Sequence, residues 1–112
     1  MFRKWCVIMS GGIDVVKVMD ALANENRVRI LKLLSDGKPR TVSEIAKELG
    51  LSRTATFYHL TILSDVGFVE QEYKIIKEPS SPARVGSFYR INKEKIRTIY
   101  GEIRKLLETL GT

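Results

Sequence analysis

The middle of this sequence predicts a pair of short helices joined by only three residues. Thr41-Val-Ser-Glu44 has the S/T-x-x-E spacing of a capping box, which predicts that a helix begins there and ends at Gly50. Ser52 is placed to cap a second helix, which we expect to end near Val66, before Gly67. A connection this short holds the second helix at a steep angle to the first.

Apolar spacing predicts two more helices before this pair. The first covers about residues 13–23, where valine, methionine and leucine recur at helical intervals. Asn24 is a plausible N-cap for the second, over residues 25–35, and Asp36-Gly-Lys-Pro39 ends it.

The pattern changes after the fourth helix. Residues 68–77 and 87–91 predict two strands, and residues 78–86, rich in loop-forming residues, predict a long hairpin tip. A final helix follows over residues 93–110. The predicted fold is mainly α with a small β-hairpin: a winged helix-turn-helix with an additional C-terminal dimerisation helix.

This order predicts three parts of the chain. Residues 1–12 are expected to form a flexible N-terminal tail, in which Met9 is an alternative translation start. Residues 13–91 would form the winged helix-turn-helix domain, and residues 92–112 the dimerisation helix.

The fourth helix is predicted to divide its side chains between two faces. An inner, largely apolar face would pack on the core through Ala55, His59, Ile62, Leu63 and Val66. The opposite face is polar at its start and aromatic further along, and it carries Arg53, Thr54, Phe57, Tyr58 and Thr61.

A helix with such an outer face fits the major groove of duplex DNA. Arg53 can bond to guanine, Thr54 to either kind of base pair, and Phe57 can pack on a thymine methyl group. The alternative for Phe57 and Tyr58 is packing under the hairpin. The predicted recognition-helix contacts to double-stranded DNA are Ser52, Arg53, Thr54, Phe57, Tyr58 and Thr61.

Positive charge is concentrated in one segment of this basic chain. The net charge is +6, and residues 73–97 contain seven basic and only two acidic residues, which favours a polyanionic partner. Hairpin residues Lys74, Lys77 and Arg84 are predicted to contact DNA, with Arg84 suited to a narrow minor groove. A solvated loop is the alternative. Arg40 and Thr41 are predicted to contact the DNA backbone.

Three segments of the chain resemble the ArsR-like winged-helix transcriptional regulators. They are Ala-Asn-Glu-Asn-Arg-Val-Arg-Ile-Leu-Lys-Leu-Leu (23–34), Thr-Val-Ser-Glu-Ile-Ala-Lys-Glu-Leu-Gly-Leu-Ser (41–52) and Tyr-His-Leu-Thr-Ile-Leu-Ser-Asp-Val-Gly-Phe-Val (58–69). The resemblance covers about residues 13–91. It implies a homodimer that binds a twofold-symmetric operator and represses or otherwise tunes transcription. It also implies that Arg53, Thr54, Phe57 and Tyr58 lie on the recognition helix.

The chain departs from that family at its metal sites. Many members bind metal through a Cys-x-Cys pair near the recognition unit, or through His and carboxylate groups on the last helix. Here residues 39–51 contain no Cys and the last helix contains no His. We therefore expect neither a metal nor a cofactor, and the sequence does not identify an effector.

The last helix carries a stripe of seven apolar residues that one small monomer is not expected to cover. With the first helix, it predicts a homodimer interface. The predicted interface residues are Val15, Met19, Leu22, Ile96, Ile99, Tyr100, Ile103, Leu106, Leu107 and Leu110. The alternative is that the last helix folds back on its own core.

Two further residues have open interpretations. His59 is either a hydrogen-bonded structural histidine on the inner face or a phosphate contact when protonated. Cys6, the single cysteine, is either a free thiol or a residue that pairs between subunits, and it cannot form an intrachain disulfide.

Other classes of protein find less support in the sequence. We find no phosphate-binding glycine loop and no nucleophile–base pair, so we predict no catalytic residue and no enzyme. No stretch approaches the length of a membrane span, and the apolar run in residues 5–9 is too short for a signal peptide, so we expect a cytoplasmic protein without a membrane partner. The functional alternative is a winged helix used as a protein–protein interaction module within a transcription or nucleic-acid-processing complex. Such modules often lose the basic wing and the polar recognition face, and this sequence keeps both.

Overall fold

A computed structural model describes residues 13–111. These residues form five helices and one two-stranded antiparallel sheet: α1 (Val15–Leu22), α2 (Glu25–Leu34), α3 (Val42–Leu49), α4 (Arg53–Val66), β1 (Val69–Glu78), β2 (Ser81–Ile91) and α5 (Lys93–Gly111). The predicted winged helix-turn-helix with an additional C-terminal helix is confirmed. The predicted N-terminal tail, including Cys6, lies outside the described residues.

The helix ends follow the local sequence signals. The Asn24 side chain accepts hydrogen bonds from the backbone N–H groups of Asn26 and Arg27 at the start of α2. Thr41 and Glu44 form the predicted capping box at the start of α3. Gly50, at the end of α3, has a φ of 71°, a left-handed conformation that glycine adopts without steric cost. Each of these signals involves residues within one turn of helix, and the sequence therefore predicts the helix ends well.

The core lies between α1, α2, α3 and α4. Its fully buried side chains include Ile30, Leu34, Ile45, Leu60 and Leu63. The inner face of α4 is rotated slightly from the prediction, because Thr56 and Leu60 are buried while Ala55, Ile62 and Val66 are only partly buried. Thr56 tolerates burial because its hydroxyl donates to the Ser52 carbonyl at 2.8 Å.

The hairpin is longer than predicted, and its tip is tight. Glu78 pairs with Ser81, so that only Pro79 and Ser80 form the turn, and β2 runs through most of the predicted loop. The predicted long tip over residues 78–86 is therefore wrong. Proline near the start of a strand is compatible with a sheet edge. Within residues 13–111, β1 is the only partner strand of β2, and the isolated bridge from Arg40 reaches β2 at Tyr89, far from Pro82. We refer to residues 69–91 as the wing.

Two contacts attach the outer elements to the core. Arg40 and Tyr89 exchange backbone hydrogen bonds of 2.9 and 2.7 Å, which tie the start of α3 to the base of the wing. Helix α5 packs along α1, and Ile99 joins the core. Among the helices of the described chain, none has the length and apolar character needed to cross a lipid bilayer.

Candidate nucleic-acid interface

The outer face of α4 is open to solvent along its length. Arg53, Thr54, Phe57, Tyr58 and Thr61 are all exposed, with Phe57 at 54% and Tyr58 at 60% of their full accessible area. Both aromatic side chains are more than half exposed, so neither is buried under the wing, although Phe57 borders it. Two large exposed aromatics on a polar helix face form a surface suited to a partner.

The hydroxyl groups at the two ends of this face already have partners within the helix. Ser52 Oγ accepts the Ala55 N–H at 3.0 Å, and Thr61 Oγ1 donates to the Phe57 carbonyl at 2.9 Å. The Ser52 hydroxyl hydrogen stays available for donation to a phosphate. Arg53 forms no ion pair within the described chain, so its guanidinium is free to bind an acceptor.

A groove runs from α4 to the base of the wing. Its lining comes from α4, β1 and β2 and includes one acidic residue, Asp65. The lining residues are Phe57, Thr61, Ser64, Asp65, Gln71, Tyr73 and Tyr89. The recognition helix and one face of the wing therefore form a continuous surface.

The wing has two different faces, because side chains alternate along each strand. The inner wing face, which borders the groove, carries Gln71, Tyr73, Ile75, Val85, Ser87 and Tyr89. The outer wing face carries Glu70, Glu72, Lys74, Ile76, Arg84, Gly86, Phe88 and Arg90.

The predicted wing contacts Lys74 and Arg84 lie on the outer wing face and already have acidic partners. Lys74 Nζ is 3.6 Å from Glu72 and 5.4 Å from the centre of the Phe88 ring, and Arg84 is 3.5 Å from Glu78. Lys77 takes part in none of the ion pairs formed by residues 13–111.

Three exposed apolar or aromatic residues of the inner wing face were not predicted as site residues from the sequence. They are Tyr73, Ile75 and Val85. The alternation of Tyr73 and Ile75 along β1 indicates that both side chains lie on one face of the strand. Val85 could not be added to this face from the sequence, because it was assigned to a loop.

The predicted backbone contacts Arg40 and Thr41 both have local roles. The Arg40 guanidinium donates to Asp36 at 2.8 and 3.0 Å and to the Leu33 carbonyl at 3.1 Å, and this pairing holds the pKa of Asp36 far below its usual range. Thr41 Oγ1 accepts the Glu44 N–H within the capping box. Arg40 thus braces the loop between α2 and α3, and its contact with DNA stays a prediction.

His59 is a structural residue bonded to a buried arginine. It is 8% exposed, and its Nδ1 lies 3.1 Å from Arg27 Nη1. Since arginine can only donate, Nδ1 accepts and the ring is neutral. Burial, together with the positive charge of Arg27, lowers the pKa of His59. The structural interpretation of His59 is confirmed.

The predicted dimer residues divide into two groups. Val15 and Ile99 are buried in the core of their own chain, and Leu22, Ile96, Ile103 and Leu106 pack against it. The first half of α5 thus folds back on the core, and assigning Val15 and Ile99 to an interface is wrong. Met19, Tyr100, Leu107 and Leu110 are exposed, as is Val16, which the prediction omitted.

The described residues contain no cluster of side chains that could bind a metal ion. Within residues 13–111, no group of three His, Cys, Asp or Glu residues is arranged to hold a metal ion.

The tight helix pair, the exposed α4 face and the adjoining wing define a winged helix-turn-helix DNA-binding protein. Residues 24–71 match the model of the bacterial regulatory protein family named arsR. An HTH-type transcriptional regulator of Methanocaldococcus jannaschii is 38% identical over 96 residues, which are 86% of this chain and 95% of that protein. The chain belongs to the ArsR family of helix-turn-helix transcriptional regulators.

Solved structures of similar proteins agree with this assignment. A homodimeric winged helix-turn-helix DNA-binding domain of Mycobacterium bovis, a possible ArsR-family regulator, is 30% identical with a TM-score of 0.56, over 87% of this chain and 77% of that one. The transcriptional regulator HlyU of Vibrio vulnificus is also 30% identical, with a TM-score of 0.51 over 85% and 84% of the two chains. An ArsR-like regulator of Rhodococcus, 24% identical over 87% and 82% of the chains, shares the fold with a TM-score of 0.64.

Proposed function

We propose that this regulator binds a twofold-symmetric operator as a homodimer and represses transcription. The proposal rests on the outer face of α4, where Arg53, Thr54, Phe57 and Tyr58 are exposed together. The α4 helix would enter the major groove, and α3, set by the short turn, would lie across the backbone. A regulator that binds chromosomal DNA would act in the cytoplasm, and the proposal needs no catalytic residue.

Charge at the start of α4 supports this placement. The first turn of α4 carries Arg53 and no acidic residue. The helix dipole adds partial positive charge at the same end, so the two effects favour an approaching phosphate backbone together. Lys77 is the first candidate among the wing cations for a phosphate contact, because it has no acidic partner within residues 13–111.

The exposed apolar residues of α1 and α5 support the homodimer. Met19, Tyr100, Leu107 and Leu110 are left uncovered by a single chain. The Mycobacterium bovis relative is a homodimer, and a twofold interface here would bury the corresponding stripe on each subunit. It would also place the two recognition helices about 34–36 Å apart, one turn of duplex.

Selection of bound sequences from random duplex DNA tests the proposal. We expect the full-length chain to enrich an inverted repeat whose half-sites are about one helical turn apart. The Arg53→Ala and Thr54→Ala double variant should lose this enrichment while keeping the wild-type melting temperature. Failure of the wild-type chain to enrich any duplex, or enrichment of a single unrepeated half-site, would contradict the proposal.

A further inference from the structure

A hollow between α2, the base of the wing and α5 has a volume of about 380 Å³ and a mainly apolar lining. Sites for small organic ligands are of this kind, with an apolar wall and a few polar groups. Its uncharged polar residue, Ser35, already donates its hydroxyl hydrogen to the Lys32 carbonyl at 2.7 Å. The apolar lining residues are Leu31, Phe68, Ile91 and Ile96, of which only Phe68 is fully buried. A ligand with an apolar body would therefore gain from covering this wall.

Two cations border the hollow, and neither has an acidic partner. Lys93 and Arg97 belong to the lining, which contains no Asp or Glu, and neither takes part in an ion pair formed by residues 13–111. On its other side Lys93 borders a second hollow with Glu70 and Glu94, but it lies beyond ion-pair distance of both. Lys93 and Arg97 are four residues apart on α5, where like charges are neighbours and repel each other. An anionic group between them would relieve this repulsion.

The hollow lies where the wing joins the last helix. Phe68 directly precedes β1 and Ile91 ends β2, and the Asn92 N–H donates to the Phe68 carbonyl at 3.0 Å. On α5, the exposed apolar residues proposed for dimerisation begin one turn further along, at Tyr100. A ligand in the hollow would contact both the wing base and α5, so it can favour one relative position of the two over another.

We propose that this hollow binds a small organic carboxylate with an apolar tail, and that this ligand is the regulator's effector. The carboxylate would lie between Lys93 and Arg97, where it would form charge-assisted hydrogen bonds. The tail would cover Leu31, Ile91 and Ile96. Binding of the ligand is independent of the proposed function, whereas its effect on operator affinity rests on that function.

Charge also argues against other occupants of the hollow. Residues 1–12 contain Arg3 and Lys4 and no acidic residue, so the two cations at the hollow would repel this segment. An uncharged apolar ligand would leave Lys93 and Arg97 side by side without a counter-charge.

Isothermal titration calorimetry of the full-length chain with octanoate tests the binding. We expect one site per chain, and affinity that rises about fourfold with each methylene added from hexanoate to octanoate. Octanol and octyltrimethylammonium, which have the same tail without the negative charge, should bind about tenfold more weakly.

Two variants locate the site. Lys93→Gln with Arg97→Gln changes two exposed side chains and should weaken octanoate binding about tenfold, as expected for the loss of two partly exposed ion pairs. The matched control Arg104→Gln with Lys105→Gln removes the same charge from exposed positions later in α5 and should bind octanoate like the wild type.

Fluorescence anisotropy on the selected operator tests the effector role. Saturating octanoate should change the operator affinity of the wild type by about fivefold or more. At the same octanoate concentration, the Lys93→Gln and Arg97→Gln double variant should show a much smaller change.

Equal binding of octanoate and octanol, or equal octanoate binding by the wild type and the double variant, would overturn the proposal. A changed homodimer mass of the double variant would make the hollow a subunit interface, and tighter octanoate binding by full-length Trp5→Ser would make residues 1–12 its occupant. Either result would also overturn the proposal. Octanoate that binds without changing operator affinity would refute the effector role. A wild-type chain that binds octanoate but no duplex would refute the proposed function instead, so the two failures are distinguishable.

Discussion

Arg27 is the residue on which the position of the recognition helix depends most. Its guanidinium is buried, and it donates to the carbonyls of Ala21 at 2.7 Å and Asp20 at 3.3 Å and to His59 Nδ1 at 3.1 Å. One side chain thus links the end of α1, helix α2 and the inner face of α4. Removing it would take this donor from the Ala21 carbonyl and from the His59 ring nitrogen, which is costly in a buried place, whereas the Asp20 carbonyl would keep the Ala23 N–H at 3.1 Å.

The Arg27–His59 pair predicts a pH dependence of stability. His59 stays neutral in the folded chain because its pKa is lowered, whereas in the unfolded chain it binds a proton near its usual value of 6.5. The unfolded state therefore binds more protons below that pH, and the free energy of unfolding should fall as the pH drops from about 7.5 to about 5. Urea unfolding at several pH values measures this effect.

The chain offers a clean control for that measurement. His59 is its only histidine, and the pKa of Asp36 is lowered from 3.8, so loss of the Asp36 contribution begins only at more acidic pH. His59→Asn keeps an acceptor for Arg27 and should show a flat free energy of unfolding across the same range. The same slope in wild type and variant would exclude His59 as its source.

The exposed guanidinium of Arg53 is expected to contribute base-specific binding energy. Arg53→Ala should cost about 1–3 kcal/mol on the operator and relax the preference at one base pair, since a bidentate contact to guanine is lost. Competition binding with single-base operator variants measures both effects. Arg104→Ala, a change to an exposed arginine of α5, serves as the control. Equal weakening on operator and random DNA would instead make Arg53 a phosphate contact.

The turn between α3 and α4 depends on a single backbone conformation. Gly50 has a positive φ, and apart from its chain neighbours no atom would lie within 4 Å of a Cβ there, so alanine would be strained without being crowded. Gly50→Ala should destabilise the fold by about 1–2 kcal/mol. Gly101, inside α5, has the same open space around it, and Gly101→Ala should stabilise the chain by about 0.5–1 kcal/mol. Thermal unfolding measures both effects: the melting temperature should fall for Gly50→Ala and rise for Gly101→Ala. A change of the same sign in both variants would contradict this prediction.

The helix-turn-helix was predictable from the sequence because its signals are local. The capping box at Thr41 and the glycine ends of α3 and α4 depend on residues within one turn of each other. The wing was less predictable because its pairing joins distant residues. Ile75 meets Val85 only if residues 81–86 form a strand, and the proline and glycine in that segment favour a loop. The sequence also could not show which residues of α5 are buried and which are exposed, because that depends on where α1 packs against α5.

The wing cations should differ in their contribution to binding. Lys77→Ala should reduce the salt slope by about 0.9 and weaken binding to most sequences alike, as expected for one phosphate contact. Arg84→Ala should have a smaller effect, because Glu78 already offsets its charge at 3.5 Å. Salt titrations of both variants on operator and random duplexes measure the difference. A larger effect of Arg84 would show that its ion pair breaks on binding and that the outer wing face meets the DNA.

Assembly into a homodimer should depend on the second half of α5. Leu107 and Leu110 are exposed, so charge there is expected to prevent association without disturbing the core. Leu107→Glu with Leu110→Glu should give a folded monomer with weak operator binding, measured by sedimentation equilibrium at micromolar concentration. Thr98→Glu, an exposed position between the apolar residues of α5, should stay dimeric. A monomeric wild type would refute the proposed dimer.

The length of the wing bears on how much of a promoter the bound regulator occupies. Strand β1 has 10 residues and spans about 33 Å at the usual rise, close to one turn of duplex. Two wings lying outward along the DNA would shield nearly a further turn on each side of the paired half-sites. A protein of 112 residues per subunit would then exclude RNA polymerase from a stretch several times longer than the bases it reads.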